Sequence, residues 1–311
     1  MSVAKHLLSV RHLLGVKDLS KDDLIKILDL AGHYADLGHK PEAFDGRFSK
    51  LVLINVFLES STRTKMSFEL AAHRLGIKPL GFDSASSSLK KGETLLDTLA
   101  AIAAMKPDIM VVRQAQEGLL EKAAAFSPCP LVNAGDGGGE HPTQALLDAL
   151  TIQRRKGRIE GLNIAICGDI AHSRVARSNF YLLTKLGANV RAFGPPGLMP
   201  DELPAGVKGA ATMNEALEGA DVVMMLRVQL ERMDKKPSLE KYFKEFGLSR
   251  DKFALAKPDA IVMHPGPINR GVEIADEVAD DPDHSTILDQ ITNGVAVRMA
   301  VLDLLTRRLR K

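Results

Sequence analysis

The chain has 311 residues, with 41 Lys and Arg against 39 Asp and Glu and a net charge of +2. That length predicts two domains, each with its own core. So even a charge balance excludes bulk attraction to nucleic acid or membrane, and any preference for anions must be local. Hydrophobic content of 45% and charged content of 26% predict a soluble globular protein. Trp is absent and Tyr occurs three times, which argues against a base-stacking surface. Cys129 and Cys167 lie far apart without a metal-like neighbour pattern, as expected of reduced thiols in the cytoplasm. Residues 1–14 are too short and polar for a signal peptide, and no apolar run is long enough to span a bilayer.

Strand-like and helix-like segments then alternate. Residues 22–37 carry Leu24, Ile27, Leu28, Ala31 and Tyr34 at helical spacing behind Ser20, a plausible cap. Strand 51–57, helix 63–75, strand 77–82, helix 92–105, strand 108–113, helix 118–126 and strand 130–133 follow. A second series runs helix 142–155, strand 162–167, helix 173–186 and strands 189–193, 221–226 and 260–263. Runs such as 163–167 and 221–226 are apolar enough for strands buried on both faces. Residues 285–309 place Leu288, Ile291, Val295, Met299, Leu302 and Leu305 on one helix face that should pack back on a domain. The fold class this predicts is α/β: two doubly wound domains, each a parallel sheet flanked by helices and joined by linking helices, with sites beyond the C-terminal strand ends. The junction falls at helix 142–155, giving one domain from 1–141 with 291–311 and a second from 142–290. Segments 84–92 and 226–238 read as polar loops suited to lids.

The chemistry gathers at those strand ends. Strand 51–57 runs into Glu59 and then Ser61, Thr62, Arg63 and Thr64 at the start of a helix. Unpaired backbone N–H groups and the positive dipole end make such a turn an anion cradle. Capping by Ser61 or Thr62 would be the duller account, but it does not explain Arg63 and Lys65 at a dipole end that disfavours cations. Strand 108–113 ends in Arg113, and the strand near 131 leads through a Gly-rich loop to His141, Pro142, Thr143 and Gln144. Strand 162–167 is followed by Gly168, Asp169 and Arg174, strand 221–226 by Arg227 and Gln229, and strand 260–263 by His264, Pro265, Gly266 and Pro267. Singly, Arg113 could be an exposed strand-end charge, Gln144 could face solvent, Arg174 could pair with Asp169 on the surface, and His264 is best read as structural. Together they suggest a crevice for a ligand with several negative charges. The turn from Gly168 to Ser173 lacks the later glycines of a dinucleotide site. The nine histidines show no metal spacing, and no serine sits in a nucleophile elbow.

Ser61-Thr62-Arg63-Thr64, the segment 86–94, His141-Pro142-Thr143-Gln144, Arg227-Val228-Gln229 and the run from His264 to Gly271 occur in an order that resembles the aspartate/ornithine carbamoyltransferase family, over nearly the whole chain. Among its members the aspartate-specific catalytic chains are the more similar. The resemblance implies that Ser61, Thr62, Arg63, Thr64 and Arg113 hold the phosphate of carbamoyl phosphate, and that Thr64, Arg113 and His141 face its carbonyl oxygen. It implies that Gln144 and the backbone at Gly266 and Pro267 accept from the carbamoyl amide, and that Arg174, Arg227 and Gln229 hold aspartate. Ser88 and Lys91 would reach into a neighbouring subunit's site, Lys91 touching both substrates, so a homotrimer is implied. Glu59 would bridge the domains through the substrate arginines. No metal and no cofactor are called for, while regulatory or dihydroorotase chains are possible partners. Two departures stand out: Gly266 replaces a common leucine at a backbone contact, and the 84–92 loop is one residue shorter. Gly266–Pro267 is a candidate cis bond.

The expected reaction has the α-amino group of aspartate attack the carbamoyl carbon and expel phosphate, in de novo pyrimidine synthesis, with closure of the 226–238 loop. Ornithine carbamoyltransferase is the nearest rival, but its Ser-Met-Gly and His-Cys-Leu-Pro elements are replaced here by Arg227-Val228-Gln229 and His264-Pro265-Gly266-Pro267. A non-catalytic scaffold homologue should have lost part of the phosphate set, and no member is missing. A nicotinamide dehydrogenase fails on the glycine pattern.

Overall fold

A computed structural model describes residues 7–38, 46, 48–82, 92–228 and 238–310. The chain divides into two compact units, Met1–Leu150 with Thr292–Lys311, and Thr151–Ile291.

The first unit opens on α1 (Lys21–Leu37), where the Ser20 hydroxyl accepts from the Asp23 N–H at 3.0 Å and Leu24, Ile27, Leu28, Ala31 and Tyr34 turn inward. Its sheet contains β1 (Val52–Phe57), β2 (Lys78–Gly81), β3 (Ile109–Gln114) and β4 (Leu131–Asp136), all parallel in the order β2-β1-β3-β4. Helices α2 (Thr62–Leu75), α3 (Leu95–Ala104) and α4 (Leu119–Ala124) connect them. Leu53, Val56, Met110, Val111, Val112, Leu131 and Val132 are all buried, as strands covered on both faces require. Because the chain passes from β1 to β2 on one side and then to β3 on the other, strand order reverses between β1 and β3, the point where such sheets open a crevice. Phe57 pairs with Arg113 across that junction.

The second unit takes up α5 (Pro142–Lys156) midway and continues with β5 (Asn163–Cys167), α6 (Arg174–Lys185), β6 (Asn189–Phe193), β7 (Val207–Gly209), α7 (Met213–Leu217) and β8 (Val222–Met225). It ends through α8 (Leu239–Phe246), α9 (Arg250–Phe253), β9 (Ile261–Met263), α10 (Asp276–Ala279) and the start of α11 (Ile287–Thr306). The sheet is again parallel, ordered β7-β6-β5-β8-β9, with its reversal between β5 and β8. Cys167 and Met225 are partners there.

The doubly wound class is as the alternation predicted, with local differences. β7 and α7 to α10 are additional to the expected elements, and all of them are short. α3 begins at Leu95 rather than 92 because Thr94 caps it, its hydroxyl accepting from the Asp97 N–H at 3.2 Å. β4 runs on to Asp136, past the expected 133, because a shift in register after Val112 lets Gln114 pair with Asp136. The long stripe on α11 is buried at Val295, Met299, Leu302 and Leu305, while Leu288 and Ile291 in its first turns are exposed.

Both cysteines are free and buried. Burial raises the Cys129 thiol and pushes Cys167 up to about 12. Native protein at pH 8 should therefore resist Ellman's reagent for minutes and release both thiols only in denaturant. Rapid reaction of the folded chain would contradict this.

Candidate active site

In the first unit the site begins at the turn from β1 into α2. Ser61 precedes the helix without a side-chain capping bond, and no acidic residue lies in the first turn. The hydroxyl is thus not spent on the cap, and the first turn carries Arg63 and Lys65 against the dipole. Thr62 and Arg63 are exposed while Thr64 is buried, its carbonyl accepting from the Ser67 hydroxyl at 2.9 Å.

Arg113 stands at the adjacent strand end. Its Nε lies 3.3 Å from Glu59 Oε2, and its Nη1 donates to the Ala134 carbonyl at 3.2 Å. The side chain is only 14% exposed, which removes the reading as a solvated strand-end charge. Glu59 after β1 and Ala134 on β4 thus pin the guanidinium between three neighbouring strands.

The Gly-rich loop after β4 is built by its own polar groups. Asn133 Oδ1 accepts from the Gly135 N–H at 2.7 Å, and its Nδ2 donates to the Leu14 carbonyl at 2.7 Å. Asp136 Oδ1 accepts from the Glu140 N–H at 2.8 Å, and Glu140 Oε2 accepts from the Val16 N–H at 2.9 Å. Gly137, at φ 42°, would place a Cβ 2.3 Å from the Ala115 carbonyl oxygen, so no side chain fits there. This bracing delivers His141, which is buried, directly before Pro142 at the first position of α5. The His141 carbonyl accepts from the Gln144 N–H at 3.0 Å. Gln144 does not face solvent: it is buried, and its Nε2 donates to Asp148 Oδ1 at 2.9 Å.

The second unit repeats the arrangement. Gly168, at φ 130°, donates its N–H to the Phe193 carbonyl at 2.9 Å, and a Cβ there would meet the Leu226 carbonyl oxygen at 2.8 Å. Only glycine lets the ends of β5 and β8 approach so closely, which brings residues 168–169 beside 226–227. Asp169 is fully buried and pairs with His172 Nδ1 at 2.8 Å, so it is not the surface acid that the duller reading of Arg174 required. Arg174 is the first residue of α6, half-buried, with Ser173 capping through the Ala176 N–H at 3.1 Å and no acid in the first turn. Arg227 follows β8 and is half-buried. Beyond β9, His264 is buried as a structural histidine: its Nδ1 accepts from the Gly266 N–H at 2.9 Å and its Nε2 lies 3.1 Å from Glu273 Oε1. An accepting Nδ1 requires the proton on Nε2, which then donates to Glu273. Glu273 Oε1 also accepts from the Asn269 N–H at 2.6 Å, closing the loop around Gly266–Pro267, whose peptide is cis as expected.

Each sheet therefore places its cations and amides along one C-terminal edge: residues 61–64, Arg113, His141 and Gln144 in the first unit, and Arg174, Arg227, Gly266 and Pro267 in the second. Ser88, Lys91 and Gln229 lie outside the described residues. Asp148, Arg298, Asn133 and Glu273 escaped the sequence reading, since each matters through a partner that spacing does not reveal. Among the described residues no cluster of His, Cys, Asp and Glu could hold a metal ion, and no helix is long and apolar enough to cross a membrane.

Two doubly wound units, each with an arginine-bearing switch point, define a class of protein that handles small polyanions. Residues 11–154 match the family model described as aspartate/ornithine carbamoyltransferase, carbamoyl-P binding domain, and residues 160–305 match its Asp/Orn binding domain. The aspartate carbamoyltransferase catalytic subunit of Dinoroseobacter shibae is 53% identical over 306 residues, 97% of each chain. That of Beijerinckia indica is 56% identical over 302 residues, 96% of this chain and 95% of the other. Among solved structures, aspartate transcarbamoylase from Trypanosoma cruzi in complex with carbamoyl phosphate and aspartate aligns with TM-score 0.83 at 30% identity, over 94% of this chain and 96% of that one. Ornithine carbamoyltransferase from Pyrococcus furiosus aligns with TM-score 0.84 at 29% identity, again over 94% and 96%. The chain belongs to the aspartate/ornithine carbamoyltransferase family.

Proposed function

We propose that the chain carries the carbamoyl group from carbamoyl phosphate to the α-amino group of L-aspartate, yielding N-carbamoyl-L-aspartate and phosphate, a step of de novo pyrimidine synthesis in the cytoplasm. The observation that carries this reading is the second unit's pair of half-buried cations, Arg174 at the start of α6 and Arg227 beyond β8. A guanidinium fork matches a carboxylate, and two such forks suit a dicarboxylate. Ornithine shares the α-carboxylate but would bring a cationic side chain to the arginine left for the second carboxylate. Relatives more than half identical to the chain are aspartate carbamoyltransferase catalytic subunits, in agreement with that chemistry.

In the first unit Ser61, Thr62, Arg63, Thr64 and Arg113 hold the phosphate. Thr64, Arg113 and His141 aim donors at the carbamoyl oxygen. Gln144 accepts from the carbamoyl amide, together with the carbonyl groups around Gly266 and Pro267. Arg174 takes the α-carboxylate of aspartate and Arg227 its β-carboxylate, with Gln229 beside them. The amine lone pair forms a C–N bond, the carbonyl becomes an oxyanion, and the bond from carbon to the phosphate oxygen then breaks. Phosphate departs with the electron pair and accepts the amine proton, so no dedicated base is required. Orientation of two bound anions can lower the barrier by about 7–11 kcal/mol, and donors at the oxyanion add about 3–4 kcal/mol.

Assembly as a homotrimer, with Ser88 and Lys91 completing a neighbour's site, is part of the same reading. Supporting it, α2 exposes Met66 and Leu70 one turn apart, and the edge strand β2 exposes Leu80. An assay for carbamoylated product, offering aspartate and ornithine in parallel, should show product with aspartate alone. Equal or greater product with ornithine would overturn the assignment. Native mass measurement reads the number of copies, and any regulatory or dihydroorotase chain would be found by co-purification.

A further inference from the structure

Behind Gln144 lies a buried polar group that the reaction above does not use. Asp148, one turn further along α5, is fully buried and accepts from Gln144 Nε2 at 2.9 Å. Arg298, reaching in from α11 and 4% exposed, supplies the opposite charge nearby. Its Nη2 lies 3.5 Å from the hydroxyl of buried Thr143, and its guanidinium sits 5.1 Å over the Phe68 ring of α2. Gly294 makes the room: a Cβ there would come within 2.7 Å of Arg298 Nη1. Burial lowers the Arg298 pKa to about 9, which still leaves it cationic at neutral pH, and the Asp148 charge opposes the fall.

A glutamine amide has a donor end and an acceptor end that differ little in shape, so something must choose which faces a ligand. An ionised carboxylate only accepts. It therefore turns the NH2 of Gln144 toward itself and the carbonyl oxygen away. We propose that Asp148, with Arg298 as its counter-charge, is a positioning residue that presents the Gln144 oxygen to the substrate and so selects an acyl phosphate bearing an NH2 group over one bearing a methyl. The inference rests on the carbamoyl phosphate reading of the first unit and adds to it the source of the discrimination.

Acetyl phosphate, with CH3 in place of NH2, is the probe. The measurements are the KM for carbamoyl phosphate and the inhibition constant of acetyl phosphate in wild type, Asp148→Asn, and the double variant Gln144→Glu with Asp148→Asn. In Asp148→Asn the new amide no longer dictates the orientation. The KM should rise about tenfold, the size of one lost hydrogen bond to a buried group, while acetyl phosphate changes by less than about twofold. The double variant exchanges donor and acceptor, keeps one carboxylate in the pair, and should recover the ratio even if both affinities fall. It also provides the reading if Asp148→Asn fails to fold.

Equal losses for both ligands in Asp148→Asn, or a ratio that stays at its wild-type value, would overturn the inference while leaving the carbamoyl reading standing. A double variant lacking discrimination would overturn it as well. Wild type binding the two phosphates alike would remove the carbamoyl reading and the inference together.

Discussion

Arg113→Ala is expected to reduce kcat/KM for carbamoyl transfer by about a thousandfold, the largest single loss in the first unit. Two contributions are removed at once. One is a charge-assisted contact to phosphate, of the kind whose loss costs about 2–5 kcal/mol when desolvated. The other is a donor to the oxyanion, worth about 3–4 kcal/mol elsewhere. They do not add fully, because both act through one side chain, and about 4 kcal/mol corresponds to three decades. The guanidinium is held by Glu59 at 3.3 Å and by the Ala134 carbonyl at 3.2 Å, so little reorganisation is needed on binding. Arg113→Lys keeps the charge without the fork and should fall between the two. Steady-state kinetics with a melting curve for each variant provide the check. A loss below tenfold in a folded Arg113→Ala protein would remove Arg113 from the reacting centre.

The strand ends made this residue visible in the sequence. Short apolar runs such as 109–112, alternating with helical segments, suit strands covered on both sides, and in a parallel sheet their C-terminal ends lie together, so residues following different strands could be grouped without coordinates. Short elements leave no such trace in the sequence. β7 has one apolar residue, Val207, and borrows its stability from pairing with β6, while α7 and α10 have five and four residues, too few to show a period. Asp136 read as loop because its place in β4 depends on a shifted register with β3, which is a property of two strands rather than one.

Within the candidate site, the groups proposed to meet an anion stand out in the sequence because arginine, hydroxyl and helix start coincide along the chain. The groups that hold them were not. Arg298 meets Thr143 from 155 positions away, and Glu140 braces the N–H of Val16 from 124 positions away. No local pattern encodes such a meeting. The glycines carry a partial signal, since 137–139 announce a tight loop, yet that a Cβ at Gly137 would come within 2.3 Å of the Ala115 carbonyl oxygen is knowable only from the fold.

Arg227→Ala should act on the other substrate. The expected result is a rise in the KM for aspartate of about 10²–10³, with the KM for carbamoyl phosphate changed less than about threefold, because one carboxylate loses a bidentate partner worth roughly 3–4 kcal/mol. The position argues for a large effect. Arg227 follows Leu226, whose N–H donates to the Cys167 carbonyl at 2.8 Å, and the next residue, Val228, is fully buried and accepts from Asn269 Nδ2 at 3.2 Å. Backbone held on both sides fixes where the guanidinium starts, so its removal cannot be made good by a sliding loop. Arg227→Lys should recover only part of the loss, since an ammonium offers charge without two parallel donors. If alanine at 227 instead raised both KM values equally, the residue would be supporting the fold of the second unit rather than binding aspartate, and the site would hold no cation that distinguishes a dicarboxylate acceptor from ornithine, since Arg174 meets the α-carboxylate that both share.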